Sequence, residues 1–159
     1  MDHSGKTLST VCRGAALVLL SAVMIGPALA GDQGEEPALA VEPEDSALTW
    51  GPCPAFFGEG CHIAVLHGDP ARPDTDVLFR LAGQRAFPAH RHTSAERMVL
   101  ISGELEVVYE GQEPVRLSAG TYAYGPPGRA HRGKCVSAAP CVLFIAFEQP
   151  IDAMQVTME

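Results

Sequence analysis

The stretch PAHRHTSAERMVLISGELEV, residues 88–107, sets two histidines two apart and a glutamate four residues after the second. On an extended chain alternate side chains share a face, so His90 and His92 project together while Arg91 points away. Two imidazoles side by side on an inward strand face can chelate one divalent metal ion. Glu96 follows where the chain enters an apolar run, close enough to fold a carboxylate back over the same point. The same His-x-His pair also suits an exposed loop after Pro88, and the pair alone does not separate the two readings.

Holding such side chains in place takes a β framework, and the rest of the chain supplies one. From Leu48 onward, short apolar runs alternate with Gly and Pro: CHIAVLHG (61–68), DVLFRLAG (76–83), RMVLISGELEVVYEG (97–111), EPVRLSAGTYAYG (113–125), AHRGKCV (130–136) and CVLFIAFE (141–148). Their β-branched and aromatic content predicts strands. Residues 98–102 and 104–109, split at Ser102-Gly103, read as a hairpin or a bend between paired strands. HGDPARPD (67–74) and GPPG (125–128) read as turns. No segment keeps a helical period over about twelve residues. Short strands at regular spacing predict an all-β sandwich or barrel.

The N-terminus reads as a targeting segment. Lys6 and Arg13 precede the apolar run AALVLLSAVMIGPALA (15–30), which ends in Ala28-Leu29-Ala30. That is the pattern of a signal peptide over residues 1–30, cleaved after Ala30. Sixteen residues broken by Gly26-Pro27 fall short of the ~20 that cross a bilayer, so no stable membrane insertion is expected after cleavage. Residues 31–47 are acidic and Pro-rich, a flexible leader, and residues 48–159 form one domain. Loss of Lys6, Arg13 and Asp2 with the signal moves the formal charge from −8 to −9. So acidic a chain excludes nucleic acid as a partner, because counterion release needs a basic surface. Cys53, Cys61, Cys135 and Cys141 remain, an even number for an oxidising compartment, periplasmic or extracellular. Their spacing is wider than that of structural zinc sites, which favours disulfides, most simply the local pairs Cys53–Cys61 and Cys135–Cys141.

Downstream of the first motif runs GTYAYGPPGRAHRGKC, with Gly120, Pro126, Gly128 and His131 in the pattern G-x5-P-x-G-x2-H. With H-x-H-x3-E-x6-G ending at Gly103, it makes a pair of motifs that resembles those of the small single-domain cupins, of the quercetin-dioxygenase-like and anti-sigma-factor-like kinds. The resemblance spans roughly residues 60–148. It implies a jelly-roll barrel, the double-stranded β-helix, with one metal inside held by His90, His92, Glu96 and His131. Three imidazoles and a carboxylate suit Fe, Mn, Ni, Cu or Zn, and ligand type does not choose among them. Four protein ligands leave one or two positions for water, O2 or a chelating substrate. Two departures stand out. The first motif usually opens with a glycine separated by five residues from its first histidine, and here six residues separate Gly83 from His90. The second often closes with Asn where this chain has Cys135. That residue shares a strand face with His131, and three roles stay open for it: a disulfide to Cys141, a redox-active thiol near the metal, or a buried inert cysteine.

Arg80, Met98, Tyr122, Tyr124 and Phe144 are the residues expected to bind a substrate: the arginine for an anion, the others as an apolar wall. Trp50 is expected to pack over one end of the barrel. The resemblance implies a metal-dependent oxidoreductase, dioxygenase-like, acting on a small oxygenated or anionic compound. A non-catalytic periplasmic module that binds or senses a small molecule or metal is the alternative, and an O2-independent isomerase or decarboxylase stands between them. No general base outside the metal ligands is evident in the sequence. A homodimer is a family expectation.

Overall fold

The computed structural model describes residues 36–158 and Met1. The expected signal peptide, residues 1–30, lies outside the described residues apart from Met1, and no described helix is long and apolar enough to cross a membrane. The chain divides into a unit Met1–Ala38, whose described residues carry no strand, and a unit Leu39–Glu159 that holds every strand.

In that second unit eleven strands follow one another with one three-residue 3-10 turn, Ala55–Phe57. They are β1 (Gly51–Pro52), β2 (Cys61–His67), β3 (Thr75–Leu81), β4 (Ala86–Arg91), β5 (Glu96–Ser102), β6 (Glu104–Tyr109), β7 (Val115–Ser118), β8 (Tyr122–Gly125), β9 (His131–Cys135), β10 (Cys141–Phe147) and β11 (Met154–Gln155). All pairings are antiparallel, in a six-stranded sheet ordered β1-β2-β3-β10-β5-β8 and a five-stranded sheet ordered β11-β4-β9-β6-β7. The architecture is all-β, as the run of short apolar segments predicts.

Period-two patterning decides which side chains face inward. Glu96, Met98 and Leu100 of β5 are buried while Arg97 and Ile101 are exposed. Leu105, Val107 and Tyr109 of β6 are buried on the same principle. With Val77, Leu81, Leu117, Leu143 and Ile145, the apolar members of these two sets form the core between the sheets. Each fully buried aliphatic chain contributes on the order of 2 kcal/mol.

The expectation of a hairpin across Ser102-Gly103 is corrected. β5 pairs with β10 and β8, and β6 pairs with β7 and β9, so the two runs lie in different sheets. Gly103 takes a left-handed φ of 84°, and a Cβ there would stand 2.9 Å from the Cys141 Cα. Only glycine suits both demands, which is how the chain leaves one sheet and enters the other at this point. The Trp50 ring stacks on the Arg80 guanidinium, 4.0 Å from the ring centroid.

Candidate metal centre

Sheet register assembles the site. His90 of β4 is the partner of His131 in β9, and His131 is the partner of Tyr109 in β6. One row across the five-stranded sheet therefore carries two imidazoles and a phenol. His92 stands one residue beyond β4, keeping the inward parity of His90. Glu96 opens β5 in the other sheet, opposite Gly125 and Phe147. His90, His92, Glu96 and His131 are 3%, 8%, 4% and 5% exposed. One ring nitrogen from each of His90, His92 and His131 lies within 4.8 Å of the others, a group able to hold a metal ion.

The histidines are oriented from behind. His90 Nδ1 lies 2.9 Å from the Pro88 carbonyl, His131 Nδ1 lies 3.4 Å from that of Arg129, and His92 Nδ1 meets the carbonyl of Asp152. A carbonyl only accepts, so each Nδ1 donates and each Nε2 keeps its lone pair. The rings of Phe57 and Phe87 pack edge-on against His90, at centroid distances of 4.7 and 5.5 Å. Asp152 also accepts from the Thr93 N–H at 2.8 Å and from its hydroxyl. This segment is laid against β4 by β11.

Glu96 Oε1 lies 3.3 Å from His92 Nε2, and Oε2 lies 3.6 Å from His131 Nε2. A cation placed among these nitrogens and oxygens would satisfy the imidazole lone pairs and the carboxylate together. His92 Nε2 is buried without a hydrogen-bond partner, as a ligand atom turned toward an ion would be. The donor set of imidazole nitrogens and carboxylate fits a divalent transition metal. Burial lowers the pKa of His90 to about 4, opposed by the Pro88 hydrogen bond and aided to a smaller degree by neighbouring His92. Burial first, then His90 and His92, lowers that of His131 to about 3. Both are neutral, ligand-ready imidazoles at pH 7. Burial raises the Glu96 pKa, against the pull of His92.

Tyr109 was invisible as a site residue in the sequence. Its hydroxyl is buried and without a partner, and burial first, then Glu96, raises its pKa. Gly125 makes room for the pair: a Cβ there would sit 3.0 Å from both Glu96 Oε2 and Tyr109 Oη. The inward parity of Leu105-x-Val107-x-Tyr109 is readable, but its place beside His131 follows from sheet order. Asp152 left no signal, since its carbonyl does the work.

The site opens on a cavity of about 140 Å³ between the sheets, walled by Phe57, Phe87, Met98, Val107, Ile145 and Phe147 among others. Of the expected substrate contacts, Met98 lines it. Arg80, Tyr122, Tyr124 and Phe144 do not, and that expectation is corrected by parity. On β8 it is Ala123 that faces inward, leaving Tyr122 and Tyr124 59% and 50% exposed. On β10, Leu143, Ile145 and Phe147 face the cavity, so Phe144 faces out; on β3, Phe79 faces in and Arg80 turns out to Trp50. Arg97 is paired with Glu148 on the surface. The four cysteines form two disulfides, Cys53–Cys61 and Cys135–Cys141.

Residues 39–150 match the family described as the ChrR Cupin-like domain. Among curated proteins, the dimethylsulfoniopropionate lyase DddQ of Ruegeria pomeroyi is 31% identical over 74 residues, 45% of this chain and 36% of that protein. Its crystal structure superposes with a TM-score of 0.60 at 18% identity, covering 70% of this chain and 62% of that one. The chain thus spans less than two thirds of this relative. Oxalate decarboxylase of Bacillus subtilis, a protein with Mn(II) centres, superposes with a TM-score of 0.54 at 16% identity over 62% of this chain and 28% of its own. A double-stranded β-helix protein of Klebsiella pneumoniae does so with a TM-score of 0.54 at 17% identity, over 67% of this chain and 90% of its own.

Proposed function

Because the chain belongs to the family of ChrR cupin-like domains, we propose that it is a metal-dependent enzyme acting on a small molecule, with one divalent transition ion held by His90, His92, His131 and Glu96. The observation that carries this reading is the buried set of three imidazole nitrogens within 4.8 Å of one another, with the Glu96 carboxyl oxygens 3.3 and 3.6 Å from two of them. Such an ion, when bound, supplies Lewis-acid stabilisation of charge developing on a substrate oxygen. The backbone carbonyls of Pro88, Asp152 and Arg129 hold the rings in their ligating tautomer. Phe57 and Phe87 keep water from the flank of His90.

Tyr109, its pKa raised, keeps its proton at Oη beside Glu96 and can deliver it to a substrate atom held over the cluster. A positioned phenol suits elimination, decarboxylation or isomerisation. It favours these over the oxidoreductase reading, which uses the same ligands but leaves Tyr109 without a task. The lyase and the decarboxylase among the relatives point the same way by name. Two disulfides support export to the periplasm or exterior, with residues 1–30 as signal, 31–47 as leader and 48–159 as the working domain. Metal content measured by plasma mass spectrometry on chelator-free protein tests the site. About one ion per chain, absent from a His90→Ala/His92→Ala variant, is expected. Equal metal in both proteins, or none in either, overturns the reading. Oxygen uptake coupled to turnover would return it to the dioxygenase class.

A further inference from the structure

The cavity beside the four proposed ligands is built almost wholly of hydrocarbon. Its polar lining consists of His90, His92, Glu96, His131, Tyr109 and Asp152. Among the described lining residues there is no lysine, arginine, serine, threonine, asparagine or glutamine. The arginines adjacent in sequence to lining residues lie outside it: Arg80 stacks on Trp50, Arg97 pairs with Glu148, and Arg91 and Arg132 are exposed. The Asp152 carboxylate is already taken by Thr93. A substrate therefore finds its polar anchors at one end only, and beyond them meets Phe57, Phe87, Met98, Val107, Ile145 and Phe147.

We infer that this site takes a compact hydrocarbon body, about the size of one six-membered ring, carrying a single oxygen head that is neutral or monoanionic. The inference rests on the metal-site reading above and narrows its substrate class. Size follows from volume: about 140 Å³ is close to the roughly 150 Å³ of an apolar engineered cavity that accommodates benzene. Charge follows from the walls. A divalent ion beside the Glu96 carboxylate leaves one positive charge for an anionic head to balance, and counting the Asp152 carboxylate of the lining leaves none, which suits a neutral head. A second carboxylate would be buried against aromatic and aliphatic carbon with no cation or donor to meet it, and buried unpaired charge is strongly disfavoured. Ala123 keeps the space open. It lines the cavity from β8 opposite Met98, where a large side chain would fill the volume.

The test uses protein loaded with manganese(II) and three probes titrated by calorimetry: benzoate, 4-methylpentanoate and succinate. The last two share a shape, with two methyl groups replaced by carboxylate oxygens. Benzoate and 4-methylpentanoate are expected to bind about 100-fold or more tightly than succinate. Ala123→Phe is expected to weaken both by tenfold or more while leaving manganese content unchanged. Benzene is expected to raise the unfolding temperature of the metal-free protein, and Ala123→Phe to abolish that rise. Succinate binding as tightly as its isostere, or an Ala123→Phe variant with unaltered affinities, overturns the inference. Should the protein take up no manganese or other divalent metal, the proposed function fails, and the benzene arm alone decides the inference: a rise sustains the apolar body and no rise refutes it.

Discussion

Replacing Gly125 by alanine probes the joint between the two sheets at the centre of the site. Gly125 does not use a left-handed φ, so alanine suits its backbone, and any effect comes from the added methyl. That methyl would stand 3.0 Å from Glu96 Oε2 and 3.0 Å from Tyr109 Oη, inside the ~3.5 Å at which nonbonded heavy atoms sit comfortably. Each oxygen must retreat by a few tenths of an ångström. Glu96 is held between His92 and His131, so its retreat shifts the carboxylate against both imidazoles. Overpacking of this kind costs about 1–3 kcal/mol, and the lower chain entropy of unfolded alanine returns about 0.4–1 kcal/mol. The metal-free variant should therefore unfold with up to about 2.6 kcal/mol less stability, read from urea midpoints in a chelator. Metal affinity should fall about 10–100-fold, as when a partner of a ligand is disturbed, read by competition with a chromophoric chelator. Tyr109→Phe removes one of the two crowded oxygens, so the double variant should recover part of both losses, a coupling above about 0.5 kcal/mol. Equal metal affinity and stability in wild type and Gly125→Ala, or strict additivity with Tyr109→Phe, would refute the geometry argued here.

Acidification should weaken the metal-free fold. His90 and His131 titrate at about 4 and about 3 when folded but near 6.5 when unfolded, so the unfolded chain binds more protons below pH 6.5 and their stabilisation is lost as pH falls from 6.5 toward 4. Glu96, raised by burial, works the other way, its share being lost as pH rises above about 4.5. Two histidines against one glutamate predict a net fall on acidification, and urea midpoints at pH 7 and pH 5 in a chelator check it. Each disulfide closes a short loop, with separations of 8 and 6 residues, so Cys→Ala replacement of either pair should cost roughly 2 kcal/mol in chemical unfolding. Arg80→Ala and Tyr124→Ala, on the outer face, should leave metal content and probe affinity within error of wild type in the same assays.

Much of this site was legible because period-two alternation is a property of the local chain. It places His90 with His92, His131 with Cys135, and Glu96 with Met98, and the spacing of these residues supports the resemblance to cupins. Alternation alone does not say which of a strand's two faces is inward. That is why the sequence points to Tyr122 and Tyr124 where Ala123 faces the pocket, and to Phe144 where Leu143 and Ile145 do. Parity is settled by burial of the whole sheet, a long-range property. Tyr109 and Asp152 illustrate the other gap. One reaches the site through strand order and the other through a carbonyl, neither of which is written in residue type.

The strand β9 has a distinct fastening at each end. At one end His131 faces Glu96 of the opposite sheet; at the other, Cys135 is bonded to Cys141 of β10, again in the opposite sheet. The two clasps lie four residues apart, about 13 Å along a strand. On the proposed reading of a bound ion they answer to different chemistry, one yielding to a chelator and the other to a thiol reductant. Were the ion withdrawn with the disulfide intact, the two layers would be released first at the histidine end, like a book held at its spine. Hydrogen exchange is then expected to quicken in the amides around His131 and Glu96 while those around Cys135 and Leu143 stay slow, the end at which a new ion, or a ligand, would enter.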